Sequence, residues 1–204
     1  MNTREHTAMK MRGNPDISYL GHTVDQMIWS FMEQEKIDGL TLAIVQAPYI
    51  PRVAGYGYSD SQRRRLASPN TMWPAGPISQ AFAAVAVMQL HEDGGLDVNR
   101  RASVYIPELP DTWNDITVLQ LLRHASGLPD YRRAAEFSPD TPWTFDALLQ
   151  LAARNPLHFV PGTEVEQSAT NFLLLTEIVE RVSGLSYHDF VTKRQIEFLG
   201  LGHT

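Results

Sequence analysis

The sequence predicts an α+β fold that is mostly helical, with a single strand pair near its N-terminus. Three observations lead there. The runs LTLAIV (40–45) and VAGYGY (53–58) are short, rich in strand formers and separated by a bend containing Pro48 and Pro51, which reads as a hairpin. Apolar residues recur at helical spacing through a series of later segments. A chain of 204 residues, 43% hydrophobic and 20% charged, can bury a sizeable core within one domain.

The elements follow in order. Residues 1–21 are a polar leader, and residues 22–204 then read as one domain with no repeat, low-complexity tract or linker. Val24, Met27, Ile28, Phe31 and Met32 share one face of a helix that Gly39 closes. The strand pair comes next; a two-stranded ribbon is marginal alone and needs a partner layer. From Ile78 to His91 the chain is apolar almost all round, which predicts a helix buried on most sides that ends at Gly94-Gly95. Residues 96–110 read as loop, a short helix starts near Thr117, and HASGLPDY (124–131) is turn-rich. Phe145, Leu148, Leu149 and Ala152 define a helix over 144–154. The loop 160–171 leads into a helix stopped by Gly184, and a last helix covers about 187–198.

Composition narrows the function. The net charge is −6 and the one compact basic run, Arg63-Arg64-Arg65, has no interleaved aromatics, so no nucleic-acid partner is expected. No window reaches the length of an apolar membrane span, and the N-terminus lacks the apolar stretch of a signal peptide; the chain reads as cytoplasmic, with no membrane partner. There is no cysteine, hence no disulfide and no thiol nucleophile. The seven histidines show no ligand spacing, so neither a metal nor another cofactor is expected.

The succession GPISQAFAAVAVMQLHEDGGLDV, YIPELP, ITVLQLLRHASGLPDY, VPGTEVEQSATNFLLLTEIVERVSGLSYHDF and FLGLGHT resembles the serine β-lactamase and penicillin-binding-protein-like hydrolases of the class C and DD-peptidase type. The resemblance runs from about residue 22 to the end. It implies a β-lactamase/DD-peptidase-like fold, with a helical domain inserted into an antiparallel sheet and a cleft between them. Relative to the family, the C-terminal sheet strands are missing. A homodimer, or a partner covering the N-terminal strand pair, is therefore expected, with a small-molecule ligand as a further partner.

The family's Ser-x-x-Lys motif falls on Pro77 and Gln80. Proline has no hydroxyl to attack with, and a carboxamide does not accept a proton near neutral pH. In such enzymes the nucleophile's own N–H also binds the oxyanion, a contact worth roughly 2.7–4 kcal/mol elsewhere; proline lacks it. The family's Tyr-x-Asn falls on Gln167-Ser168-Ala169, and the third motif, Lys/His-x-Gly, would lie beyond Thr204.

Among substitute groups, Ser79 points about 200° away from the nucleophile position on a helix and reads as structural, as do Ser126 and Ser168. Glu166 is a candidate general base whose plainer reading is a solvated loop carboxylate. His124 reads as a hydrogen-bonded structural residue of the HASG turn. Gly76-Pro77 is ordinary helix-start chemistry. The expected function is a catalytically degenerate family member that keeps a cleft for binding or partner interaction. Two alternatives stand beside it: a non-acylating isomerase or cyclase using Gln80, Gln167, Glu166 and Tyr131, and a residual esterase or amidase working through Ser79.

Overall fold

A computed structural model describes residues 11–13, 17–46 and 49–202. They group into two compact units, one up to Pro74 and one from Ala75 to Gly202. The break falls inside the stretch expected as one domain.

The first unit is a small sheet with one helix. Strands β1 (Met11–Gly13), β4 (Gly39–Gln46) and β5 (Tyr49–Asp60) pair antiparallel with β5 in the middle, and β6 (Arg65–Leu66) pairs the far end of β5. Met11 and Leu42 flank Ala54 from opposite sides. The expected strand pair is thus widened at β5, which pairs with both β1 and β6, and β1 lies within the stretch read as a polar leader. Three residues, MRG, are too few to show a period of two. Strands β2 (Ser18–Tyr19) and β3 (His22–Thr23) form a separate two-stranded ribbon. Of the two prolines expected in the bend, Pro48 lies outside the described residues. Pro51 is inside β5, beside a register shift between Ile44 and Gln46, where a residue without an N–H can interrupt the ladder.

Helix α1 (Val24–Glu35) starts at Thr23, whose hydroxyl accepts from Gln26 N–H while the Gln26 side chain accepts from Thr23 N–H. It stops at Lys36 in a left-handed conformation, three residues before the expected stop at Gly39. Gly39 instead opens β4 opposite Gly57. A Cβ there would lie 2.1 Å from the Tyr58 carbonyl oxygen, so the glycine serves strand approach and not helix termination. Met32 packs with Ala54 and Tyr56. Beneath α1, buried Arg52 pairs with Asp25, which also accepts from the Tyr56 hydroxyl at 2.6 Å. Burial, reinforced by the Asp25 hydrogen bond, pushes the Tyr56 phenol up to about 12.

The second unit is helical: α2 (Ser79–Glu92), α3 (Val118–Leu122), α4 (Phe145–Ala153), α5 (Ala169–Ser183), α6 (Tyr187–Val191) and α7 (Glu197–Leu199), with one wide π turn, Thr192–Ile196, between the last two. Helix α5 runs through the core, with Leu174, Leu175, Ile178 and Val179 fully buried, each worth about 1.5–3 kcal/mol. Around it pack Ala86, Val87 and Leu90 of α2, Val118 and Leu121 of α3, and Ile106 and Trp113 from the intervening loop. Helix α2 differs from expectation: Ala83, Ala86, Val87 and Leu90 are buried, but Val85 and Met88 on its other side are exposed. Its near-uniform apolarity hides which face meets the core.

Two loops are zipped together beside α5. His158 N–H donates to Gly127 C=O, Gly162 N–H to Ala125 C=O and Glu166 N–H to His124 C=O, at 2.9, 2.7 and 3.0 Å. The approach is close because Gly127 has φ +74, and a Cβ there would meet the Phe159 carbonyl oxygen at 2.3 Å.

Candidate functional site

The sequence-nominated residues of the helical unit converge on the start of α2, the 124–131 turn and the start of α5. Gly76–Ile78 forms a single 3₁₀ turn with Pro77 in its first positions. Pro77 is exposed and supplies neither hydroxyl nor N–H. The Ser79 hydroxyl donates back to the Gly76 carbonyl, occupied in closing the turn that carries it.

Gln80, in the first turn of α2 and half-buried, meets His124: the imidazole Nε2 lies 3.4 Å from Gln80 Oε1. His124 adopts φ 54, unusual for a residue with a Cβ, and its ring leans on Phe172 with centroids 5.2 Å apart. Its other nitrogen, Nδ1, faces Ser168 N–H at 3.3 Å and the Asn171 amide nitrogen at 3.0 Å. Asn171 is fully buried; its Oδ1 accepts from the Ser126 hydroxyl at 2.5 Å, and Ser126 Oγ accepts from Leu128 N–H at 3.1 Å. Burial pushes the His124 imidazole below its ordinary value, against an opposing pull from Asp130. Ser126 and Ser168 are consumed in this network and in the α5 cap, where Ser168 Oγ accepts from Thr170 N–H.

Glu166 is neither free in solvent nor poised as a base. His158 Nδ1 lies 2.6 Å from Oε2 and Arg133 donates to Oε1 at 3.1 Å. The His158 hydrogen bond, against an opposing effect of burial and with help from Arg133, holds its carboxyl below the ordinary range; a base for pH 7 needs the reverse. Tyr131 is half-buried with its ring edge-on to Phe137, and its N–H donates to Thr170 Oγ1 at 3.2 Å. Gln167 is exposed, while Ala169 is buried as the first residue of α5. Burial raises the Asp130 carboxyl, but the Arg132 side chain and the N–H groups of Arg132 and Ala169 together hold it below its ordinary value.

Gln80 is therefore brought to His124, whereas Glu166 is drawn into a separate cluster and Gln167 joins neither. Asn171, His158 and Arg133 were not singled out from sequence. Asn171 left a readable trace: it is a polar residue three and four positions before Leu174 and Leu175, on the apolar stripe of α5. His158 and Arg133 are separated from Glu166 by loops and left none. Among the described residues, no cluster of three His, Cys, Asp or Glu could hold a metal, and no helix is long and apolar enough to cross a membrane.

A family model described as Beta-lactamase matches residues 24–204. Protein flp of Staphylococcus aureus (strain N315) is 28% identical over 185 residues, covering 89% of this chain and 37% of that protein. A class C beta-lactamase structure is 27% identical with a TM-score of 0.74, over 88% of this chain and 48% of that one. The octameric penicillin-binding protein homologue from Pyrococcus abyssi is 26% identical, also with a TM-score of 0.74, over 87% and 42%. The chain thus spans less than half the length of each of these relatives, and its fold is β-lactamase/DD-peptidase-like.

Proposed function

The chain belongs to the beta-lactamase family, and from that premise we propose that it is a member without acyl-enzyme chemistry, whose helical unit serves as a binding surface for a small molecule. The observation carrying this reading is the N-terminal turn of α2. Pro77 has no nucleophile and no oxyanion donor, and Gln80, where the resemblance places a lysine, is hydrogen-bonded to a histidine and has no basicity of its own. Ser79, the remaining hydroxyl at the turn, donates to its own backbone.

An isomerase or cyclase built on Gln80, Gln167, Glu166 and Tyr131 has less support, since the Glu166 carboxylate is taken up by Arg133 and His158. Assembly with a second copy or another polypeptide along the strand pair belongs to the same proposal; Val45 of β4 is 68% exposed, and sedimentation of the chain as a monomer at micromolar concentration would count against it. The relatives' names make β-lactams the first ligands to try. The test is labelling with a fluorescent penicillin and with a fluorophosphonate. Neither should form a covalent adduct, and stoichiometric attachment to any serine would overturn the proposal.

A further inference from the structure

The hydrogen-bond network around His124 has a direction that can be worked out from its donors and acceptors. Leu128 N–H can only donate, so Ser126 Oγ accepts from it and turns its own O–H toward Asn171. Asn171 Oδ1 accepts that hydrogen, which fixes the amide's orientation and leaves its NH2 facing His124 Nδ1. Ser168 N–H, again a donor only, faces the same nitrogen. Nδ1 therefore carries a lone pair, and the proton of the neutral ring sits on Nε2. That N–H finds Gln80 Oε1, so the last amide in the series is oriented too. Its NH2 lies on the other side of the amide from Oε1, on a half-buried side chain, and within the helical unit the described residues offer it no acceptor.

We propose that the chain Leu128, Ser126, Asn171, His124, Gln80 is a polarised relay that presents the Gln80 NH2 as the recognition group of the site, selecting ligands whose anchoring atom is a carboxylate or carbonyl oxygen over ligands with a cationic head. This rests on the binding reading above and specifies the class of ligand. A neutral donor stands where the resemblance places a lysine, so hydrogen-bond donation toward an acceptor survives while proton abstraction does not. Protonating Nδ1 would set a third donor against Ser168 N–H and the Asn171 NH2, and the lowered affinity of the imidazole for protons agrees with this. His124 is a positioning residue here, and Gln80 is the group that touches the ligand.

The full chain, ¹⁵N-labelled, provides two readouts. Two-bond nitrogen–proton correlation of the His124 ring, assigned by its loss in His124→Asn, should show a neutral ring at pH 7 with the hydrogen on Nε2. A hydrogen on Nδ1, or an imidazolium, would overturn the relay. Titration with benzoate and with benzylammonium, followed at the Gln80 side-chain NH2, should give at least tenfold tighter binding of benzoate. Gln80→Leu should weaken benzoate tenfold or more, and Gln80→Glu, whose carboxylate still accepts from Nε2–H but presents an acceptor outward, should reverse the preference. Gln80 lies in the first turn of α2 and half-exposed, so both variants keep the fold. Equal affinities, benzoate binding indifferent to Gln80→Leu, or no benzoate binding would each overturn the proposal. Serine labelling would sink the function proposed above while leaving the His124 tautomer as stated, and a wrong tautomer would do the opposite.

Discussion

Asn171→Leu isolates the energetics of the buried network. The change keeps the number and branching of side-chain heavy atoms, so no cavity is opened, but it removes an acceptor from the Ser126 hydroxyl and a donor from His124 Nδ1. Ser126 is fully buried, and a buried hydroxyl left without its acceptor costs about 1–3 kcal/mol. His124 Nδ1 keeps Ser168 N–H, so its loss is at the low end, about 0.5–1 kcal/mol. The sum is about 1.5–4 kcal/mol. With a urea dependence of about 2 kcal/mol per molar, the midpoint followed by far-UV circular dichroism should fall by about 1–2 M. Ser126→Ala removes the stranded hydroxyl, so the double variant should lose less than the two single losses added, with a coupling of about 1–2 kcal/mol. Asn171→Leu within about 0.5 kcal/mol of the parent, or a cycle that closes additively, would refute the assignment of these hydrogen bonds.

Four further outcomes are expected. His124 should make stability fall as the solution is acidified: its folded pKa lies below the ordinary value of about 6.5, so the unfolded chain binds the proton first, and the contribution, intact above about 6.5, is lost as pH falls through the folded value. Asp130 is the charged group opposing this shift, and its own contribution, with a lowered pKa, is lost only in the carboxylate range; urea midpoints between pH 8 and 5 for the parent and His124→Asn would separate the two. Gly127→Ala should lower the melting temperature sharply, because the left-handed backbone alone costs an alanine about 1–2 kcal/mol and its Cβ would collide with the Phe159 carbonyl. Asp25→Ala should cost about 3–5 kcal/mol by taking the carboxylate from buried Arg52, and ultraviolet titration should find the Tyr56 phenol below its present value of about 12. Pro77→Ser alone should not restore labelling by a fluorescent penicillin, since Gln80 still offers no base.

Local signals carried much of the helical unit. Thr117 with Gln120 and Thr144 with the apolar face of Phe145 and Leu149 mark helix starts that the structure repeats, because a cap and its helix are only a few residues apart. Where partners are distant, the sequence was silent. Nothing within MRG announces that Met11 will lie beside Ala54, and Gly39 reads as a helix stop until its neighbour across the sheet, Gly57, is known. The candidate site divides in the same way. Pro77 and Gln80 were legible as substitutions within a motif, but the pairing of Gln80 with His124 spans two elements. The diversion of Glu166 to His158 and Arg133 depends on loops whose course is set by the zipped segments around Gly127.

The left-handed backbone at His124 constrains what this position can become. Residues that tolerate such a conformation are few, chiefly glycine, asparagine and aspartate. Glycine brings no ring, aspartate cannot donate when ionised, and asparagine is too short to bridge two helices at once. Geometry and chemistry thus screen substitutions independently, and imidazole passes both. Drift at this site is confined much more tightly than its position in an open turn would suggest.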